Sequence, residues 1–169
     1  AVLLGVLRKL TPEDRENATP CENFTAHELL EHLAGSLKHV GGALGADVSD
    51  DAGAGPEVRI AGLAQATLEA FGRRGVEGTI DMGFAELPAT VVAGIINLEL
   101  LVHAWDFAKA TGQELVVSDV VTDHVEALAL VTISDQVRAT GSFAAAQPVA
   151  ESASSLERLI AFTGRTVTV

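Results

Sequence analysis

A single cysteine, Cys21, cannot close an internal disulfide, so nothing in the chain calls for an oxidising compartment and a reducing cytoplasm is the expected setting. Basic residues are scarce as well. Eleven Lys and Arg stand against twenty-three Asp and Glu, a formal net charge of −12, and only Arg8-Lys9 and Arg73-Arg74 are adjacent. No basic stripe is available for a phosphate backbone, which excludes nucleic acid as a partner, and the same charge disfavours anionic membrane surfaces. Long hydrophobic runs are missing too. The longest, near 89–96, falls far short of the roughly 20 residues that span a bilayer, so a soluble protein is expected. No basic segment followed by an apolar one opens the chain; it starts at Ala1 on residues already helical in pattern, leaving room for natural sequence upstream. Alternating apolar runs and repeats with periods of about 20 to 50 residues are absent, which argues against sheets and solenoids.

What is present is helical periodicity. At 169 residues, 48% hydrophobic and 20% charged, the chain fits one globular domain over 1–169 with one core. Val2, Leu3, Val6, Leu7 and Leu10 predict a first helix over 1–10, and 11–23 reads as a polar connection with a short helical turn begun by Pro12. Thr25 and Glu28 form a capping-box pattern ahead of Ala26, Leu30, Leu33, Leu37, Val40 and Leu44, giving a second helix that ends near 41–45. A loop over 47–55 leads to a third helix over 56–74, with Ile60, Leu63, Thr67 and Phe71 facing inward. The glycine-containing stretch 75–88 reads as a loop with a short extended piece at 79–84. A fourth helix over 88–111 stops at Gly112, a fifth runs from Ser118-Asp119 to about 139, and a last one follows the Ser154/Glu157 capping box and stops at Gly164. The class is all-α. Four long helices imply a four-helix bundle, with the short C-terminal segment wrapped on its outside.

The fourth helix carries apolar residues on every side and should be buried nearly all round. At about 100° per residue, Glu99, His103 and Asp106 fall within about 60° of one another, on the side of Val92, Ile96 and Ala110. Three ionisable groups thus point into one apolar region. Burying an unpaired carboxylate costs several kcal/mol, and a Glu and a His four residues apart can place an oxygen and a nitrogen on one metal ion. A Glu–His hydrogen bond in the core, or an exposed pair, explains the same spacing, and spacing alone favours that plainer reading. A further ligand would come from His27, His32, His39 or His124. His32 lies mid-helix on a flank of the Leu33/Leu37 stripe, and periodicity does not choose between it and His39 or solvent; His27 reads as a helix-start residue and His124 as solvent-facing. Asp106 reads equally as an acceptor for an imidazole N–H or as a partner of Lys109 or Arg138. Trp105 reads as core, and Cys21, ahead of a capped helix, as structural.

Three segments together carry a resemblance: Thr19-Pro20-Cys21-Glu22-Asn23-Phe24-Thr25, Leu29-Leu30-Glu31-His32-Leu33-Ala34-Gly35, and Glu99-Leu100-Leu101-Val102-His103-Ala104-Trp105-Asp106, with the ending Leu156-Glu157-Arg158-Leu159-Ile160-Ala161-Phe162-Thr163-Gly164-Arg165. The chain resembles the DinB-like superfamily, in its actinobacterial branch related to the mycothiol-dependent maleylpyruvate isomerase metal-binding domain. Phe24 stands where related sequences usually carry Trp. The resemblance implies a bundle whose divalent metal, usually zinc, with nickel or another first-row ion as the alternative, is held by His32, Glu99 and His103, with a position open for water or a thiol. It further implies a transferase or isomerase that uses a low-molecular-weight thiol such as mycothiol on a small electrophile. The rival class is a non-catalytic, metal-stabilised bundle, a homodimer being one option, serving in stress response or partner binding.

Overall fold

In the computed structural model, which describes residues 1–21 and 24–167, the chain is mostly α-helical and is organised around one apolar helix, α4 (Ala89–Ala110). Every residue of α4 from Leu101 through Ala108 is buried, as its all-round apolar pattern requires. By length and apolar composition this helix of 22 residues could cross a membrane, although the apolar run at 89–96 is short; most of it is covered by the rest of the fold instead.

On one side of α4 pack α1 (Val2–Leu7) and α2 (Ala26–Ala43), and α3 (Pro56–Arg74) packs on both of these. The pairs α1·α3, α1·α4, α2·α3 and α2·α4 all pack together, and Leu7, Leu29, Leu33, Leu37, Ile60, Val92 and Phe107 form the core between them. The helix phases follow from their starts. Thr25 Oγ1 accepts from the Glu28 amide and the Glu28 carboxylate accepts from the Thr25 amide, a reciprocal cap that satisfies two otherwise orphaned donors. Pro56 at the first position of α3 loses no intrahelical bond. Between α1 and α2, Pro12–Glu16 forms a 3-10 helix. The 47–55 loop is tied down by Arg59, whose buried guanidinium donates to Asp50 at 2.7 Å and to Glu31 on α2 at 2.5 Å and 2.9 Å.

The opposite side of α4 has a second core. Leu98, Leu101, Val102 and Trp105 pack with Val125 and Ala129 of α5 (Asp119–Thr132) and with Leu159 and Ile160 of α7 (Ser155–Phe162). Two buried clusters sharing one helix therefore replace the single core expected. In the C-terminal segment Leu159 and Ile160 are fully buried, because the apolar flank of α4 left bare by the first core needs a cover.

Two further departures have local causes. The helix expected over 119–139 breaks at Ile133, because Ser134 Oγ accepts from the Val137 amide and starts a new helix, α6 (Asp135–Ala139). The extended piece near 79–84 is the first half of an antiparallel hairpin, β1 (Thr79–Asp81) with β2 (Glu86–Pro88), so the chain is not purely α. Asp81 Oδ1 accepts from the Gly83 amide in the turn, and Ile80 and Met82 bury their side chains in the first core.

At Gly94 α4 and α5 approach closely: a Cβ there would lie 2.9 Å from Thr132 Oγ1 and 3.8 Å from Leu128 Cβ. Gly62, in the middle of α3, has open space around it. Gly94→Ala is therefore expected to destabilise the protein by about 1–3 kcal/mol through overpacking. Gly62→Ala should stabilise it by about 0.5–1 kcal/mol by helix propensity. Urea titration of both variants checks the pair; equal shifts would refute the close approach of α4 and α5.

Candidate metal centre

The capped start of α2 sets its rotation, sending Leu29, Leu33 and Leu37 inward and leaving His32 on the flank that meets α4. Glu99 and His103 lie one turn apart on α4 and face that flank. His32 Nε2 lies 3.4 Å from Glu99 Oε2, and His103 Nε2 lies 3.5 Å from the same oxygen. Neither contact has hydrogen-bonding geometry, and Glu99 Oε2 is a buried side-chain oxygen with no hydrogen-bond partner among the described residues. One donor atom from each of the three side chains lies within 4.8 Å of the others.

An orphaned, buried carboxylate oxygen is costly, and an ion resolves the cost if the spacing suits one. Two donors on a tetrahedral zinc ion, each about 2.0–2.1 Å from it, stand about 3.3–3.4 Å apart. The two measured separations match that spacing better than they match a hydrogen bond, so the residues fit a first-row divalent ion. The His32 and His103 rings meet edge to face at 5.4 Å, and Phe24 lies against His32 at 5.2 Å. His103 is buried, while the His32 side chain is 38% exposed, so the cluster opens to solvent on the α2 side.

Behind His103 stands a second polar layer. His103 Nδ1 is 2.9 Å from Asp106 Oδ2, and Asp106 is fully buried. Its carboxylate accepts from Arg165 Nε at 2.8 Å on Oδ1 and from Arg165 Nη2 at 2.7 Å on Oδ2. Burial pushes the Asp106 and Glu99 carboxyls up, but their neighbours outweigh it: hydrogen bonds from His103 and Arg165 hold Asp106 below the ordinary range, and the close His103 and His32 imidazoles hold Glu99 well below it. Burial pushes the His103 imidazole down, yet its hydrogen bond to Asp106 and the nearby Glu99 carboxylate raise it to about 9.

Asp106 is thus partnered by neither Lys109 nor Arg138. Lys109 sits over the Trp105 ring at 5.5 Å, and Arg138 donates to the Phe162 carbonyl at 2.7 Å. Arg165 had no periodic signal of its own; the clue was only that a buried Asp needs a cation. His39 stands apart from the cluster, its Nε2 3.1 Å from the Met82 carbonyl and its ring stacked on Phe84. His27 lies 3.2 Å from Arg15, and His124 is exposed. Trp105 is buried in the second core. Cys21 forms a second ligand-type group with His103 and Asp106, but Arg165 and His103 already occupy the Asp106 oxygens, so this group suits an ion less well. Glu22 and Asn23 of the neighbouring segment lie outside the described residues. A shallow groove of about 280 Å³ beside Trp105, Lys109 and Glu157 does not include His32, Glu99 or His103.

Two proteins of Mycobacterium tuberculosis, uncharacterized protein MT0763 of strain CDC 1551 and uncharacterized protein Rv0738 of strain H37Rv, are each 30% identical to this chain over 172 residues, covering 96% of the chain and 91% of either relative. No family model and no solved structure matches the chain.

The electrostatics of the metal-free cluster have a measurable consequence. Because the folded pKa of His103 lies above its ordinary value near 6.5, this group stabilises the fold fully below about pH 6.5, and the contribution fades as pH rises towards about 9. Urea unfolding in the presence of a chelator should therefore show stability falling between those limits, with a shallower fall in His103→Gln. A slope identical in both proteins would disprove the assignment.

Proposed function

We propose that this chain, which belongs to one family with the Mycobacterium tuberculosis proteins MT0763 and Rv0738, is a divalent-metal-binding member of the DinB-like superfamily that uses a low-molecular-weight thiol of the mycothiol type to transfer or isomerise a small electrophile. The superfamily's four-helix bundle is then α1 to α4, a reading supported by the packing of both α1 and α2 on both α3 and α4. The single observation that carries the metal assignment is the orphaned Glu99 Oε2 between two imidazole nitrogens at 3.4 Å and 3.5 Å.

In this reading His32 and His103 offer neutral imidazole nitrogens and Glu99 its carboxylate, zinc being the ion these donors suit best. Asp106 keeps the His103 proton on Nδ1, so Nε2 presents its lone pair towards Glu99. Phe24 supports the His32 ring, and the solvent-exposed side of His32 is the approach left for a thiol and its substrate. One acidic and two neutral donors leave a divalent ion with net positive charge, which lowers the pKa of a thiol enough to make it nucleophilic near neutral pH.

Elemental analysis is expected to find about one zinc or other first-row ion per chain in wild type, and little in His32→Ala and Glu99→Ala. A folded wild-type protein that takes up no such ion refutes the centre. The metal-loaded protein should then consume a model electrophile faster with mycothiol than without, and the Glu99→Ala variant should not. Metal binding with no thiol-dependent rate for mycothiol, bacillithiol or glutathione would replace the enzyme reading with that of a metal-stabilised binding protein.

A further inference from the structure

The guanidinium of Arg165 is nearly buried, its side chain 9% exposed, and all three of its nitrogens are engaged: Nε and Nη2 grip the two Asp106 oxygens, and Nη1 donates to Thr163 Oγ1 at 3.2 Å. Such a fork fixes the plane of a carboxylate as well as neutralising it. The chain is shaped to deliver it. Thr163 caps the end of α7, Gly164 adopts φ of +96°, and the backbone turns back so that Arg165 enters the layer behind His103. With Asp106 immobilised, its Oδ2 meets His103 Nδ1 at 2.9 Å and holds the ring with Nε2 towards Glu99.

From this geometry we infer that Arg165 is a positioning residue for the metal centre: acting through Asp106, it fixes the orientation and tautomer of His103, so the segment that follows α7 completes a site whose ligands all lie on α2 and α4. The inference rests on the metal reading above. It assigns the second core a task besides burial, since α7 must dock on α5 for Arg165 to reach Asp106. An asparagine at 106 keeps the shape but can turn an N–H towards His103 Nδ1, forcing the ring proton onto Nε2 where it opposes a metal. A lysine at 165 keeps the charge and loses the two-toothed grip.

The test is a competition titration of zinc against a chromophoric chelator, with cobalt(II) absorption as a second readout, on wild type, Asp106→Asn, Arg165→Lys and Arg165→Met. Leu156→Ala serves as the comparison, because Leu156 packs on the second core and its side chain has no polar atom to join the relay. Loss of a partner behind a ligating histidine typically weakens metal binding by about 10- to 100-fold. That loss, with an altered cobalt spectrum, is expected for Asp106→Asn and Arg165→Met, and an intermediate loss for Arg165→Lys. Leu156→Ala should lower the melting temperature and keep wild-type zinc affinity. Should Arg165→Met not fold, Asp106→Asn and Arg165→Lys decide the matter. Wild-type affinity and spectrum in both would overturn the inference while leaving the metal centre standing, as would an affinity loss in Leu156→Ala equal to theirs. A wild-type protein that binds neither ion overturns the metal reading itself.

Discussion

The burial of α4 on every side is the constraint from which the rest of the molecule follows. An apolar helix of 22 residues cannot be left in water, so α1 and α2, with α3 packed on both, cover one side and α5 and α7 the other. The same burial takes His103, Asp106 and the Oε2 atom of the half-buried Glu99 out of water. Each must find its compensation inside the protein, and each does so differently: Asp106 by a two-toothed arginine, His103 by Asp106 on one nitrogen, and Glu99 by two imidazoles that come near but do not hydrogen-bond. The incomplete member of this set is the one that faces solvent through His32. A polar cluster finished at its back and open at its front is what a site needs and a purely structural network does not.

The cluster also joins the two cores. His32 enters from α2, the Glu99–His103 pair stands on α4, and the cation that settles Asp106 comes from beyond α7. Packing of the second core is therefore tied to the geometry of the first. The Asp106–Arg165 ion pair is fully desolvated on one side, where such pairs are costly to break, and it sits where rigidity of a histidine has chemical value.

The pairing of Glu99 with His103 could be read from the chain because both lie on one helix, where a spacing of four residues fixes their relation before any folding is known. The caps at Thr25 and Ser154 were legible for the same local reason, as were the bounds of α2, α3 and α4. The break at Ile133 and the second strand of the hairpin were not. A continuous apolar stripe hides a new cap at Ser134, and a three-residue strand such as Glu86–Pro88 has too few positions to show alternation.

By itself, then, the sequence determined the helical class, the apolar character of α4 and the local geometry of its ionisable face, all of which depend on neighbours within a turn or two. Periodicity left open which histidine faces that set, and the resemblance alone pointed to His32; the tertiary structure brings His32 to it, because His32 and His39 lie two turns apart on one face of α2 and the choice depends on where α4 and the hairpin cross it. The tertiary structure alone supplied Arg165 to Asp106, across a separation of 59 residues. Contacts at that range are set by how two cores stack on a shared helix, and periodicity carries no record of that.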